Sequence, residues 1–443
     1  MSKINPSSLN ENSLFGISLK ELIPKDHPKR VILDRLPWDE LVRIAKRAYQ
    51  SDHWKDKPNV RVMIGLYSWD CISKDKPYRD IEEDFSFNAL CAYACGFKEV
   101  KLRKIHHTTL IKFEEHLGIE NILEIKDIIE KMSVDNQPPN SKSRHSGDTT
   151  VIESEITYPV DTNLIETVRK FLVNDLIKEF QKEVNQNHRH YDRVARAEYL
   201  SFAKKRKTGK KEIKQIKKKQ LQFLKRNLQQ AKEVMTILKE KVDQKEIQLK
   251  GKGNQKVFQK LKTKLEVANQ IYFQQLALYK GEKVKDRIVS FHRPNVRPIF
   301  RGKAKKKTEF GVKICTTIVG KALVLGKMDY NNFYDGKGLK ETIIEIKNKG
   351  YPIKEIIGDK GNGGICGFLK ENEITDGIEK RGKRKKDPPI PKKRFVSARN
   401  RKEGSYGLLK KVFIKEGSRA KTDFGDFKKI CKALIGYNLN YAF

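Results

Sequence analysis

The chain has 443 residues, 37% of them hydrophobic, and sets 94 Lys and Arg against 56 Asp and Glu for a formal charge of +38. That length holds two or three domains with a substantial core, and so large a positive excess points to a polyanionic partner, nucleic acid above all. No apolar run reaches the roughly 18 residues of a membrane span, and the opening Met1-Ser2-Lys3-Ile4-Asn5 lacks the apolar stretch of a secretion signal.

Six cysteines, at 71, 91, 95, 315, 366 and 431, form no paired framework, which fits a reducing cytoplasm. Cys91 and Cys95, with His106 and His107 downstream, allow a zinc site. Four-residue spacing on an apolar helix face is more simply read as core.

In chain order, residues 1–20 read as a mobile polar tail and 21–130 as a helical domain. Helices are expected from Pro37-Trp38-Asp39-Glu40, over Val60 to Trp69, over Tyr78 to Asp84 and Asn88 to Ala94, and from Thr108, capped by a Thr hydroxyl. Lys101, Arg103 and Lys104 suit DNA, but no recognition helix is identifiable, so a protein-contact module fits as well. Residues 131–147 read as a polar linker.

From Asp148 to Tyr158 the composition is β-rich. Alternation sets Asp148, Thr150 and Ile152 on one face of a strand. Asp148 is the candidate acid there, with Glu153, Glu155 and Asp161 close by as alternatives. A Lys-rich helical insertion is expected over 163–285, opened by Asn163 as cap with Glu166. Leu221, Leu224, Leu228, Ala231, Met235, Leu238 and Val242 form a 3-4 seam, and Val257 to Leu276 supply a returning helix, so a coiled-coil hairpin is predicted. Its Lys217-Lys218-Lys219 face is either plain solvated charge or a grip on DNA.

Strands resume over Arg293 to Phe300, Phe310 to Val319 and Ala322 to Met328. The Arg301 to Lys307 turn, with Lys303, is placed to lie along a phosphate chain. A helix over Gly338 to Glu345 leads into a buried strand, Ile353 to Ile357, that ends in Gly358-Asp359-Lys360-Gly361. A basic, Pro-rich loop over Arg381 to Lys393 precedes a helix bearing Glu403. The order implies a mixed α/β sheet covered by helices.

An acid at the mouth of a buried strand and another on a helix flanked by Arg and Lys suit metal-assisted phosphoryl transfer. Hard Mg²⁺ prefers carboxylate oxygens, so three placed acids suffice. With 56 acids in the chain, carboxylates alone carry little; the context of Asp359 and Glu403 carries more. Asp359 also reads as a plain turn former, and Glu403 as a solvated partner of Arg399.

The pattern Arg399-x3-Glu403-x6-Lys410, Asp359 in Ile-Gly-Asp-Lys-Gly-Asn-Gly and Asp148 in Asp-Thr-Thr-Val-Ile-Glu resemble the bacterial insertion-sequence DDE transposases. The nearest branch has a helical N-terminal transposase domain and a Tyr-Arg-Glu-Lys signature. Ile23 to Pro28, Tyr158 to Thr162, Arg297 to Lys303 with Glu309 to Gly311, and Gly436 to Leu439 extend the likeness over most of 20–443. The signature's Tyr falls on Val396, which departs from it. The resemblance implies an RNase H-like catalytic domain over 148–443, with the helical insertion compatible with a variable one in the family. It further implies two Mg²⁺ (or Mn²⁺) held by Asp148, Asp359 and Glu403, and DNA contacts from Arg399 and from Lys410 or its neighbour Lys411. The expected activity is cleavage at terminal inverted repeats and strand transfer by a homodimeric synaptic complex in a bacterial cytoplasm, associated with the nucleoid. A degenerate transposase or related nuclease, and a basic architectural nucleic-acid binder, are the alternatives.

Overall fold

The computed structural model describes residues 18–50, 58–99, 102–244, 254–300, 308–379, 392–415 and 417–442. They form a mixed α/β protein of two compact units, one of Met1–Ser154, Val312–Asp329 and Phe333–Phe443, the other of Glu155–Gly311 and Tyr330–Asn332.

The first unit opens with helices packed on one apolar cluster. Helix α1 (Val60–Ile72) starts where the Asn59 side chain accepts from the Arg61 and Val62 amides, and all ten residues from Met63 to Ile72 are buried. Helix α2 (Tyr78–Phe87) and helix α3 (His107–Asp135), which is broken by a kink at Gly118 (φ 67°), pack on the same cluster through Ile81, Leu110, Phe113 and Ile122. The cap of α3 differs from expectation. The His106 imidazole, not a Thr hydroxyl, accepts from the Thr108 amide at 3.4 Å.

No linker spans 131–147. Apolar spacing carries α3 on to Asp135, with Val134 buried, and strand β1 (Arg144–Glu153) begins four residues before Asp148. His145 and Ser146 look like linker residues by composition, yet both are buried. His145 faces the Pro352 carbonyl oxygen at 3.0 Å and the Thr317 hydroxyl at 3.3 Å.

Strand β2 (Arg297–Phe300) is shorter than the expected Arg293 to Phe300. It pairs antiparallel with Thr308–Gly311, the opening of β3 (Thr308–Val319), within the second unit. In the first unit β3 continues beside β4 (Ala322–Asp329), β5 (Glu355–Gly358) and β6 (Thr375–Ile378) in the order β4-β3-β1-β5-β6. β4 runs antiparallel to β3, whereas β5 is parallel to both β1 and β6. The parallel pairings require crossovers, supplied by helix α4 (Asp335–Asn348) ahead of β5 and helix α5 (Cys366–Glu371) ahead of β6. Leu339, Ile343 and Ile346 of α4 bury one sheet face with Ile356, Ile378 and Val319. Gly147 is glycine for a steric reason: a β-carbon there would collide with the Leu339 side chain.

Helix α6 (Lys392–Leu408) covers the opposite face and continues in wider π-type turns to Ile414. Helix α7 (Asp423–Tyr441), to which the sequence pointed only through its Gly436 to Leu439 motif, ties the unit together. Lys428 and Lys432 reach the fully buried Glu114 of α3 at 2.6 Å each, and Lys432 also pairs with the buried Asp70 of α1. Six residues on, Asn438 exchanges two 2.8 Å hydrogen bonds with the Leu323 backbone of β4.

The second unit is a helical bundle. Its first helix runs over Asp161–Lys170, so Asn163 lies inside the first turn rather than capping it. The long helices Lys210–Asp243 and Asn254–Lys280 match the expected hairpin, although the turn at 250–253 lies outside the described residues. The seam residues Leu224, Leu228 and Leu238 pack against Ala268 and Ile271 and also against Val168, Leu172 and Leu176. The seam therefore belongs to a bundle with one shared core, more than to a free-standing pair. Lys217 is not on an outer face: it is buried and ion-paired with Asp161 at 2.8 Å, while Lys218 and Lys219 are exposed.

Candidate active site

The candidate acids are positioned by the parallel pairing of β1 with β5. Ser146 lies opposite Ile357; continuing that register by two residues sets Asp148 level with Asp359, both on the face covered by α6. Helix α6 turns two residues onto this face. The Lys402 ammonium sits 3.0 Å from the Gly147 carbonyl oxygen and 3.3 Å from the Asp148 carboxylate. Four residues on, the Tyr406 hydroxyl donates to the Asp148 carbonyl oxygen at 2.9 Å and lies 2.7 Å from the Thr316 hydroxyl. Residues four apart share a helix face, which is why Lys402 and Tyr406 go inward together.

Burial pushes the Asp148 carboxyl above its ordinary range; Lys402 pulls it back, and the neighbouring negative charge of Asp359 adds to the rise. Asp359 is oriented by its own loop, accepting from the Gly361 amide at 3.0 Å and the Asn362 side-chain amide at 2.9 Å.

Glu403, one residue past Lys402, points to solvent and accepts from Arg399 at 3.0 Å. That hydrogen bond is the main reason the Arg399 guanidinium holds its proton more tightly, and the charges of Glu379 and Asp359 add to it. Asp148 and Asp359 are thus brought together, whereas Glu403 is engaged with Arg399. Among the described residues the one trio of metal-ligating side chains with all ligand atoms within 4.8 Å is Glu82, His106 and His107, far along the chain from these acids. Cys91 and Cys95 are buried core residues outside that trio.

Lys410 is half-buried at the start of the π-type turns and Lys411 beside it is exposed. Val396, at the signature's Tyr position, is exposed on α6. Lys303 lies outside the described residues, as does Lys101.

Two residues near the acids escaped the sequence reading. Lys402, within Arg-Asn-Arg-Lys-Glu, looks like one more solvated cation; its spacing of four from Tyr406 was the available signal. Asp335 opens α4, accepts from the Thr149 hydroxyl at 2.7 Å and pairs with the buried Lys313 at 2.7 Å. A β-carbon at Gly361 would stand 3.0 Å from an Asp335 oxygen and 3.1 Å from an Asp359 oxygen, so these carboxylates flank one small space.

Asp148 and Asp359 fit a hard divalent cation. Their donors are all oxygen, and the upward push of one carboxyl by the other is the strain that a cation relieves. No protein-family model, no curated protein and no solved structure matches the chain.

Proposed function

We propose that the protein is a metal-dependent DNA transposase of the DDE type, with an RNase H-like catalytic core and a helical N-terminal region that engages DNA. The observation that carries this reading is the level placement of Asp148 and Asp359 on adjacent parallel strands, under the helix that bears Glu403. The strand order, with an antiparallel hairpin on one side of β1 and parallel crossovers on the other, supports the RNase H-like core. The +38 charge supports a duplex DNA partner.

Asp148 and Asp359 would hold Mg²⁺, with Glu403 turned from Arg399 towards them. Bound Mg²⁺ supplies charge stabilisation for the attacking and leaving oxygens of an in-line phosphoryl displacement. Lys402 offsets part of the burial penalty on the Asp148 carboxylate, and Tyr406 fixes the strand backbone at that residue. Arg399, released from Glu403, and Lys410 or Lys411 would pair with DNA phosphates. Cutting at terminal repeats and joining the freed 3′ end to target DNA, in a homodimer bridging two ends, complete the reading, along with a bacterial cytoplasmic location. No helix among the described residues is long and apolar enough to cross a membrane.

The pairing of Glu403 with Arg399 favours one second reading, a DNA binder of the same descent that has lost strand cleavage. Strand cleavage of a duplex carrying the element's own terminal repeat separates the two. Mg²⁺-dependent cutting that vanishes with EDTA and in Asp359→Asn and Glu403→Gln, while DNA binding persists, supports the enzyme. Cutting that survives both substitutions sinks the residue assignment, and binding without cutting by any form moves the assignment to the second reading.

A further inference from the structure

A cavity of about 280 Å³ lies on the sheet face that carries Asp148, lined by Arg144, Ser146, Glu355, Arg394, Ser397 and Arg401 among others. Its charges do not balance. Arg394 closes a two-pronged pair on Glu355 at 2.8 and 2.6 Å, which neutralises the one acid in the lining. Arg401 has only the Gly320 carbonyl oxygen at 3.3 Å, and the exposed Arg144 has no hydrogen-bond or ion-pair partner among the described residues. Among the described residues, these two guanidiniums have no counter-charge.

The Ser146 side chain adds an independent sign. It is 7% exposed, and its hydroxyl has no hydrogen-bond partner among the described residues. A buried hydroxyl without a partner is unfavourable, and an entering acceptor satisfies it. Two forked cations and an orphaned donor around one cavity match the oxygens of a phosphate.

We propose that this cavity receives a backbone phosphate of the DNA strand that passes the candidate acids, held by Arg144, Arg401 and the Ser146 hydroxyl. Ser146 and Asp148 are two residues apart on one face of β1, roughly 7 Å at about 3.4 Å per residue. A strand presenting one phosphate to the acids therefore brings a neighbouring phosphate to the cavity. The choice of DNA as the source of that phosphate rests on the transposase reading; the anion chemistry does not.

The test measures binding with cleavage silenced. In EDTA and on an Asp359→Asn background, the affinity for a terminal-repeat duplex is compared between the unaltered pocket, Ser146→Ala and the double variant Arg144→Gln/Arg401→Gln. The double variant is expected to bind about tenfold more weakly at moderate salt, with the slope of log K against log salt reduced by about one, for the one phosphate no longer neutralised. Duplexes with a single uncharged methylphosphonate, scanned along each strand, localise the contact. One position near the cut should weaken the intact pocket about tenfold and the double variant by no more than about twofold.

Equal affinity and slope in the double variant, or interference identical for both proteins at every position, overturns the proposal. So does inorganic phosphate that stabilises the intact pocket while DNA affinity ignores the substitutions, because the ligand is then a free anion. Coincident melting curves for the variants exclude unfolding. If the double variant melts early, Arg144→Lys, which keeps the charge and loses the fork, repeats the scan. A protein that never cuts DNA yet shows the position-specific interference loses the enzyme reading and keeps the pocket; one that cuts without interference does the reverse.

Discussion

Asp148→Asn and Asp359→Asn both remove a carboxylate from the candidate site, yet the structure assigns them different costs. Asp148 is the acid within ion-pair reach of Lys402, whose side chain is 5% exposed, at 3.3 Å. At an effective dielectric of about 20, that separation corresponds to a gross attraction of about 5 kcal/mol. Four features reduce the loss: Asp148 keeps 22% exposure, the burial penalty on its carboxylate is relieved, Lys402 retains the Gly147 carbonyl, and an Asn oxygen still accepts from the ammonium. The expected net cost is about 2 kcal/mol, below the roughly 3–5 kcal/mol for orphaning a fully buried charge. In Asp359→Asn the amide oxygen keeps both hydrogen bonds from Gly361 and Asn362, and a like charge beside Asp148 disappears. Its cost is expected to stay under about 1 kcal/mol. Thermal melting followed by circular dichroism at pH 7 should place Asp148→Asn lower in Tm than Asp359→Asn by about 2 °C, with Mg²⁺-dependent cutting absent from both. Equal Tm values, or a lower one for Asp359→Asn, would refute the assigned role of Lys402.

Three more outcomes follow from the packing. Burial holds the His145 imidazole down to about 4 from 6.5, so the unfolded chain takes up that proton first as pH falls. The stability this site contributes is complete above pH 6.5 and declines towards pH 4 by up to about 3 kcal/mol; urea melts of His145→Gln should lack that share of the slope, and an unchanged pH profile would contradict the assignment. Lys432→Met strands Asp70 and Glu114 with Lys428 alone and should cost about 3 kcal/mol or more, whereas Lys432→Met with Asp70→Asn should cost less than the single change. At Gly436 a methyl group would overlap the Cys71 carbonyl oxygen of α1, which is backbone and cannot swing aside, so Gly436→Ala should lower the urea midpoint by the equivalent of about 2–3 kcal/mol; an unshifted midpoint would mean that α1 and α7 separate freely.

Much of the chain was legible one element at a time. The apolar run from Val60 to Trp69, the Leu221 to Leu238 seam and the alternation at Asp148, Thr150 and Ile152 each arise from a residue's own neighbours, so helices and strands follow from local periodicity. Asp359 after an apolar strand and Glu403 between Arg399 and Lys410 were visible for the same reason. Polar composition misled at 131–147, because His145 and Ser146 are buried by partners distant in sequence. Lys217 was misplaced likewise, by an ion pair with Asp161 that lies 56 residues away.

Sequence alone determined most of the strands and helices, the segments at 131–147 and 423–441 apart, and singled out Asp148, Asp359 and Glu403 as candidate acids. Only the tertiary structure decided that Asp148 lies level with Asp359, because strand register between residues 211 apart is settled by what the sheet and its covering helices bury together. The same holds for Lys402, turned inward by the docking of α6, and for α7, whose Lys432 and Asn438 join the helical layer to the sheet. A side chain's partner across the fold has no trace in its own periodicity.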